Sequence, residues 1–299
     1  MGRYAVTGST GLIGRALVAS LEGDGHEVVR LVRPGTASSG ARWDPDAGTI
    51  EAGELEGLDG VVHLAGEGIA DKRWTDEQKR RIIESRRAGT SLLTRTLAGL
   101  DSKPPVLVSG SAVGFYGDRG DEVLTEASGP GTGFLTEIVE AWEAAAQPAV
   151  DAGIRTAFLR TGIVIAGDGG VLGKLKLLFK LGLGGKLGSG KQWMSPISIV
   201  DEVRVIRFLL DGSLSGPVNT SAPNPVTNLE LTKAIGAALH RPTFLSVPRF
   251  GPRLLLGREL ADNLLFVSQR MVPSALIDAG FEFRHPTIES QVAAALEGS

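Results

Sequence analysis

Three glycines stand at intervals of three near the start of the chain: Gly8, Gly11 and Gly14. They follow a short apolar run ending at Thr7 and precede a helical pattern of Leu12, Ala16, Leu17 and Leu21. Strand, tight turn and helix in that order is the setting in which such glycines cradle a dinucleotide. Gly8 supplies unusual turn dihedrals, Gly11 lets the backbone approach a pyrophosphate, and Gly14 lets the helix lie close on the strand. The free N–H groups at the start of the helix, around Thr10, Gly11, Leu12 and Ile13, then face the phosphates.

The next chemically informative position is Arg33. Glu27 to Arg33 reads as a second strand ending in Arg33-Pro34-Gly35. About 20 residues past the glycines, an acidic residue would take the ribose 2′-hydroxyl of NAD, whereas an arginine accommodates a 2′-phosphate. A guanidinium fork holds a phosphate in paired charge-assisted hydrogen bonds, so the dinucleotide expected is NADP(H). Gly60-Val61-Val62-His63-Leu64-Ala65-Gly66 is a buried strand whose small exit residues Leu64, Ala65 and Gly66 would let the adenosine half pass over the chain. His63 sits in an apolar run and reads as a core histidine.

The elements that position these groups follow a rhythm. A long helix runs from Thr75 to Leu100 with Ile82, Ile83, Leu92, Leu93 and Leu97 as its apolar stripe. Its basic front half is mostly a solvated face, from which Arg86 or Arg87 can turn toward a phosphate. Val106 to Ser109 is the next strand, running into Gly110-Ser111-Ala112 and Tyr116-Gly117. A helix over Phe134–Val150 and a strand over Ile154–Leu159, ending in Arg160-Thr161-Gly162, complete the series. Alternating strands and helices imply an α/β fold with a doubly wound parallel sheet and ligands beyond the C-terminal strand ends. Ser109, Ser111, Tyr116 and Arg160 therefore fall on the ligand side.

From Gly167 to Gly190 the composition shifts to Gly, Leu and Lys, with apolar residues at Leu172, Leu175, Leu178 and Phe179. A basic amphipathic helix is a membrane-surface pattern. Its short length and bordering glycines favour a mobile flap over a cleft. Ile197 to Leu210 returns to strand then helix, with Asp201 as the expected N-cap, and Val218-Asn219-Thr220 is a last short strand. We expect a dinucleotide-binding domain over residues 1–166, its sheet completed from 197–220. A smaller substrate lobe and flap are expected over 167–299.

The 299 residues carry a net charge of −3, with 42% hydrophobic and 22% charged residues. That is ordinary for a globular protein and gives no electrostatic case for nucleic acid or membrane as the main partner. With no cysteine, thiolate chemistry and sulfur-ligated metals are excluded, and the four histidines are scattered, so no metal site is expected. The chain enters a strand at once, with no secretory leader and no apolar run of about 18 residues, so the expected location is cytoplasmic.

With these pieces placed, the sequence resembles the extended short-chain dehydrogenase/reductases, the superfamily of sugar-nucleotide epimerases and dehydratases with a Rossmann sheet. Thr7-Gly8-x-x-Gly11-x-x-Gly14, Val62-His63-Leu64-Ala65-Gly66, Ala88-Gly89-Thr90 and Ser109-Gly110-Ser111-Ala112 with Tyr116-Gly117 carry the resemblance. Arg73-Trp74, Trp142-Glu143, Gly188-Ser189-Gly190-Lys191-Gln192 and Gly280-Phe281-Glu282-Phe283 are similar to an atypical bacterial branch, the epimerase family proteins. The resemblance implies a small-molecule substrate, a C-terminal lobe closing over the nicotinamide, a substrate-orienting Ser111, and a homodimer formed through two helices of the sheet domain. It also exposes a departure. The superfamily's proton-exchanging Tyr-x-x-x-Lys pair falls on Phe134-Leu135-Thr136-Glu137-Ile138, and its central-helix asparagine on Arg86. A lost general acid costs roughly 10²–10⁴ in rate. Tyr116, Glu67 and Lys191 are the candidates to replace it. Two functions stay open: an NADP-dependent oxidoreductase or epimerase on a nucleotide-sugar-like or small carbonyl substrate, and a non-catalytic NADP(H)-binding sensor.

Overall fold

A computed structural model of the chain describes residues 1–36 and 39–297. Its first part contains β1 (Arg3–Thr7), α1 (Leu12–Gly23), β2 (Glu27–Val32), β3 (Ala41–Asp44), β4 (Thr49–Ile50) and β5 (Gly60–His63). Next come α2 (Asp76–Ala98), β6 (Val106–Ala112), β7 (Val123–Leu124), α3 (Phe134–Ala144), α4 (Gln147–Asp151), β8 (Arg155–Thr161) and β9 (Ile163–Ala166). Then follow α5 (Gly170–Lys180), β10 (Gly185–Leu187), β11 (Trp193–Met194), β12 (Pro196–Ser198), α6 (Ile199–Asp211) and β13 (Gly216–Thr220). The chain ends with β14 (Val226–Thr227), α7 (Asn228–Ala238), β15 (Leu245–Val247), α8 (Phe250–Leu256), α9 (Arg258–Leu265), β16 (Arg270–Met271), α10 (Ser274–Asp278) and α11 (Ile288–Glu297).

The main sheet has the order β13-β8-β6-β5-β1-β2-β3-β4, parallel except for the hairpin strand β4. From β1 the chain winds outward one way through β2 and the other way through β5, so the topological switch point lies between β1 and β5. The Gly8 turn and the Leu64–Gly66 exit leave the sheet side by side there. Strands buried on both faces need apolar residues at every position, and these supply them. Ala5, Val61 and Leu107 pack with Leu93 and Leu97 of α2. Their neighbours Val6, Val62 and Val108 pack with Leu17 of α1 and Ile206 and Leu209 of α6.

The rest forms a smaller lobe around α5, α7 and α11, whose core includes Leu172, Phe179, Ile235 and Val292. Four two-stranded pairings join it to the sheet domain and to itself: β12 with β9, β10 with β15, β11 with β14, and β16 with β7. Among the described residues no helix is long and apolar enough to cross a membrane.

Three local expectations need correction. Residues 134–150 form two helices, because Pro148 sits in the first turn of α4 and has no N–H with which to continue the helix before it. The N-cap of α6 is Ser198, whose hydroxyl accepts from the Asp201 N–H; Asp201 lies one turn inside and takes the backbone N–H groups of Arg284 and His285 instead. Of the stretch 197–220, only β13 joins the main sheet, while β12 pairs with β9.

Candidate functional site

The glycine corner is built as its spacing demands. Gly8 has φ +67°, and a side chain there would meet Ala65 N and the Leu64 carbonyl carbon at 2.9 Å. A Cβ on Gly14 would lie 2.1 Å from Gly8 O, so only glycine lets α1 rest on the turn. Gly11 N–H donates back to Gly8 O at 2.9 Å and closes the corner. The start of α1 is electrostatically unfinished. Helices α2, α6 and α7 are capped by the side chains of Thr75, Ser198 and Thr227. Helix α1 starts at Gly11 with no side-chain cap and no acidic residue in its first turn, as α5 does at Gly169. Its first N–H groups and partial positive charge fit an anion, and the glycine cradle leaves room for one. Thr10 is exposed there and Ser9 buried.

Arg33 stands one residue past β2, with its side chain 45% exposed; its nearest acid, Asp46, is 4.0 Å away and 88% exposed. Such a pair binds weakly in water, so the guanidinium is available. At the neighbouring exit, Thr7 Oγ1 accepts from Leu64 N at 3.1 Å and Ala65 N at 3.2 Å. With both lone pairs used, its proton goes to His63 Nδ1 at 2.8 Å, which leaves Nε2–H to donate to Thr90 Oγ1 at 2.9 Å. His63 is fully buried, and burial, followed by the Arg86 charge, lowers its pKa to about 4. It is a neutral core histidine that aligns the exit loop. Arg86 turns inward beneath Gly66, donates from Nη1 to Glu67 O at 3.0 Å and Ile82 O at 3.2 Å, and stacks on Trp142. Burial pulls its pKa down to about 10. Arg87 stays outside, paired with Glu84.

The serine strand holds a network that sequence reasoning did not foresee. Ser111, Arg160 and Asn219 are neighbours in register across β6, β8 and β13, so their side chains share the face packed by α3. Ser111 Oγ donates to Glu143 Oε1 at 2.6 Å. Arg160 grips the same carboxylate with Nε and Nη2, both at 2.9 Å. Its Nη1 donates to the Tyr116 hydroxyl at 3.2 Å, and that hydroxyl donates to Asn219 Oδ1 at 2.6 Å. Phe115 stacks under the guanidinium at 3.4 Å. Tyr116 is fully buried, and burial pushes its pKa up. Its one proton is held by Asn219 Oδ1. Ser109 is also fully buried, one row beneath Ser111 beside His63, with its hydroxyl unpaired in the interior.

Of the other proton donors considered, Glu67 lies on the exit loop, accepting from Gln78 Nε2 at 3.4 Å. Lys191 is exposed on the lobe. Glu143 and Asn219 were missed as members of the site. Arg160 was the available signal, since an arginine inside a buried strand requires an acid nearby.

The lobe is fastened over both rims of the strand ends. On the α1 side, Leu12 fills the space over Gly169, and Arg15 lies 3.7 Å from Asp168. On the α2 side, Arg73 donates to the carbonyls of Leu254 and Leu255 at 2.5 and 3.1 Å, and Lys79 pairs with Glu259. Between these two rims, the C-terminal strand ends carry both the glycine corner after β1 and Ser111 near the end of β6.

On the opposite face of the sheet, Glu202 is fully buried between Thr161 and Thr220. Oε1 accepts from Thr161 Oγ1 at 3.0 Å, and Oε2 has no partner. Burial raises its pKa to about 7, partly offset by the two threonine hydroxyls. The fold therefore favours the protonated acid, and that stability is complete below the unfolded carboxylate pKa and lost as pH rises through 7. Glu202→Gln should match the parent below about pH 4.5 and exceed it by roughly 3 kcal/mol above pH 7. Urea melts across that range test this, and a constant difference at all pH values would contradict it.

The sequence model of the NAD-dependent epimerase/dehydratase family matches residues 4–220, and that of a domain of unknown function, DUF1731, matches residues 247–295. An epimerase family protein of Mycobacterium bovis is 44% identical over 286 residues, covering 95% of this chain and 94% of its own. The crystal structure of the human epimerase family protein SDR39U1 with NADPH superimposes with a TM-score of 0.90 at 31% identity, over 99% of this chain and 100% of that one. A nucleoside-diphosphate sugar epimerase from Corynebacterium glutamicum superimposes with a TM-score of 0.81 at 41% identity. That match spans 99% of this chain but 58% of the solved chain.

Proposed function

Because this chain belongs to the NAD-dependent epimerase/dehydratase family, we propose that it binds NADP(H) in the β1–α1 corner and exchanges hydride with a small carbonyl or nucleotide-sugar-like substrate. The observation that carries this reading is the uncapped start of α1 beside an available Arg33. The N–H groups of Leu12 and Ile13 would hold the pyrophosphate, with Thr10 beside it and Arg33 on the 2′-phosphate. Leu64, Ala65 and Gly66 would line the adenosine path, with Arg86 setting the shape of that loop from below. When bound, the nicotinamide supplies or accepts the hydride.

Residues 167–299, apart from α6 and β13, which pack into the sheet domain, act as the substrate lobe in this reading, and the protein works in the cytoplasm. Ser111 is the substrate-orienting group. Its proton is committed to Glu143 at 2.6 Å, so toward the cleft its oxygen offers lone pairs. It therefore accepts from an alcohol O–H, and the substrate it holds best is the alcohol. Tyr116 and Arg160 are positioning residues that fix Ser111 through Glu143, and Ser109 supports the strand from the interior.

A specific observation favours a second reading, an NADP(H) sensor without catalysis: the hydroxyls of Tyr116, a candidate proton donor, and of Ser111, the expected substrate-orienting group, are tied into a closed network. Incubation separates the two. The protein with NADP⁺ and a panel of sugar nucleotides and small alcohols, or with NADPH and carbonyls, is followed by nicotinamide absorbance and by sugar stereochemistry in NMR. The enzyme reading expects at least one panel member to turn over, slowed about 10-fold or more in Ser111→Ala. Binding of NADPH with no turnover of any member would transfer the case to the sensor.

A further inference from the structure

The net charge of −3 conceals a strong segregation of charge. Two stretches of the lobe, from Asp168 to Asp201 and from Glu230 to Glu259, contain between those acids ten of the chain's 31 basic residues and none of its 34 acidic ones. The structure brings these stretches together. β10 and β15 pair with Gly185 opposite Leu245, and Arg241 Nε donates to the Lys180 carbonyl at 3.0 Å. At their junction stands an apolar tip. The period of α5 turns Leu172 and Phe179 into the lobe core, which leaves Leu177 and Leu181 pointing out. Leu177, Leu181, Leu183 and Phe244 are 65, 64, 54 and 81% exposed. Lys180 and Arg241 flank them, both exposed.

Large apolar side chains clustered on a soluble surface mark a place of contact. Basic residues around protruding leucines and a phenylalanine fit an interface that is apolar at depth and anionic at its surface. A second copy of the chain fits less well. A two-fold dimer sets the same patch against itself, here base against base with no acid in either stretch. The helices of the sheet domain expected to form a homodimer offer no apolar alternative if they are α2 and α3, whose outer faces carry Arg80, Arg81, Glu84, Glu137 and Glu140.

We propose that this tip docks the protein onto anionic lipid surfaces, with Leu177, Leu181, Leu183 and Phe244 entering the headgroup boundary and Lys180 and Arg241 meeting the lipid phosphates.

Co-sedimentation of the full chain with vesicles tests this, using phosphatidylcholine alone and phosphatidylcholine with roughly 30% phosphatidylglycerol. Binding is expected to the anionic vesicles at about 0.1 M salt, with at least ~10-fold less to neutral ones and a similar loss at about 0.5 M salt. The double variant Leu181→Ser, Phe244→Ser should lose about 10-fold in vesicle binding while keeping parental circular dichroism and NADPH affinity. No binding to either vesicle overturns the proposal. So does vesicle binding that the serine variant leaves unchanged, which would be charge attraction alone. A concentration-dependent dimer lost in the same variant, without vesicle binding, would assign the tip to self-association and overturn it as well.

Discussion

Arg33→Asp lowers the affinity for NADPH by roughly 100-fold while changing that for NADH by less than about 3-fold. The guanidinium lies just past β2 and is committed only to an exposed acid 4.0 Å away, so its removal leaves the fold untouched. Charge-assisted hydrogen bonds to a phosphate contribute about 1.5–3 kcal/mol, and an aspartate in the same place repels the phosphate it replaces. The ribose 2′-hydroxyl of NADH meets no such repulsion and finds an acceptor, which is how acidic residues at this position select NAD. Fluorescence titration of the bound nicotinamide reads both constants. If the two cofactors weaken together, Arg33 does not contact the 2′-phosphate.

Arg160→Met destabilises the protein by roughly 3–5 kcal/mol, the usual effect of leaving one member of a buried pair without its partner. Glu143 is only 15% exposed and receives three of its hydrogen bonds from Arg160 and Ser111. Without the guanidinium it must stay charged in a poor solvent or take up a proton. The Tyr116 hydroxyl also loses a donor. Glu143→Leu in the same chain removes the orphaned charge, so the double variant should be less damaged than the sum of the single ones by more than about 1 kcal/mol. Urea unfolding of the four proteins measures the coupling. Additive effects would mean that the two side chains act separately, contrary to the network described above.

Much of this site was legible from local pattern. The turn geometry of Gly8, Gly11 and Gly14 needs only their spacing and a flanking strand and helix, and the place of Arg33 just past β2 needs only the strand before it. The long helix α2 followed from its apolar stripe. What failed was whatever depends on register between distant elements. Glu143 reaches Arg160 only because α3 lies across β6 and β8, and no periodicity in either segment states that. Asn219, read only as part of a last short strand, is buried in the fold and holds the tyrosine proton. The α6 cap was assigned to Asp201 rather than Ser198 because both residue types cap helices and they stand three apart. Charge segregation was lost by averaging, since −3 for the whole chain balances ten bases in the two lobe stretches against an excess of acid over all the rest of the chain.

Crystals of the protein grown with NADPH give the most direct test of the claim that the β1–α1 corner is a phosphate cradle. The expected result is a pyrophosphate on the N–H groups of Leu12 and Ile13 with the 2′-phosphate at Arg33. The nicotinamide should point along the cleft toward Ser111. Ordered NADPH elsewhere on the molecule, with the corner taken up by water or side chains, would contradict it.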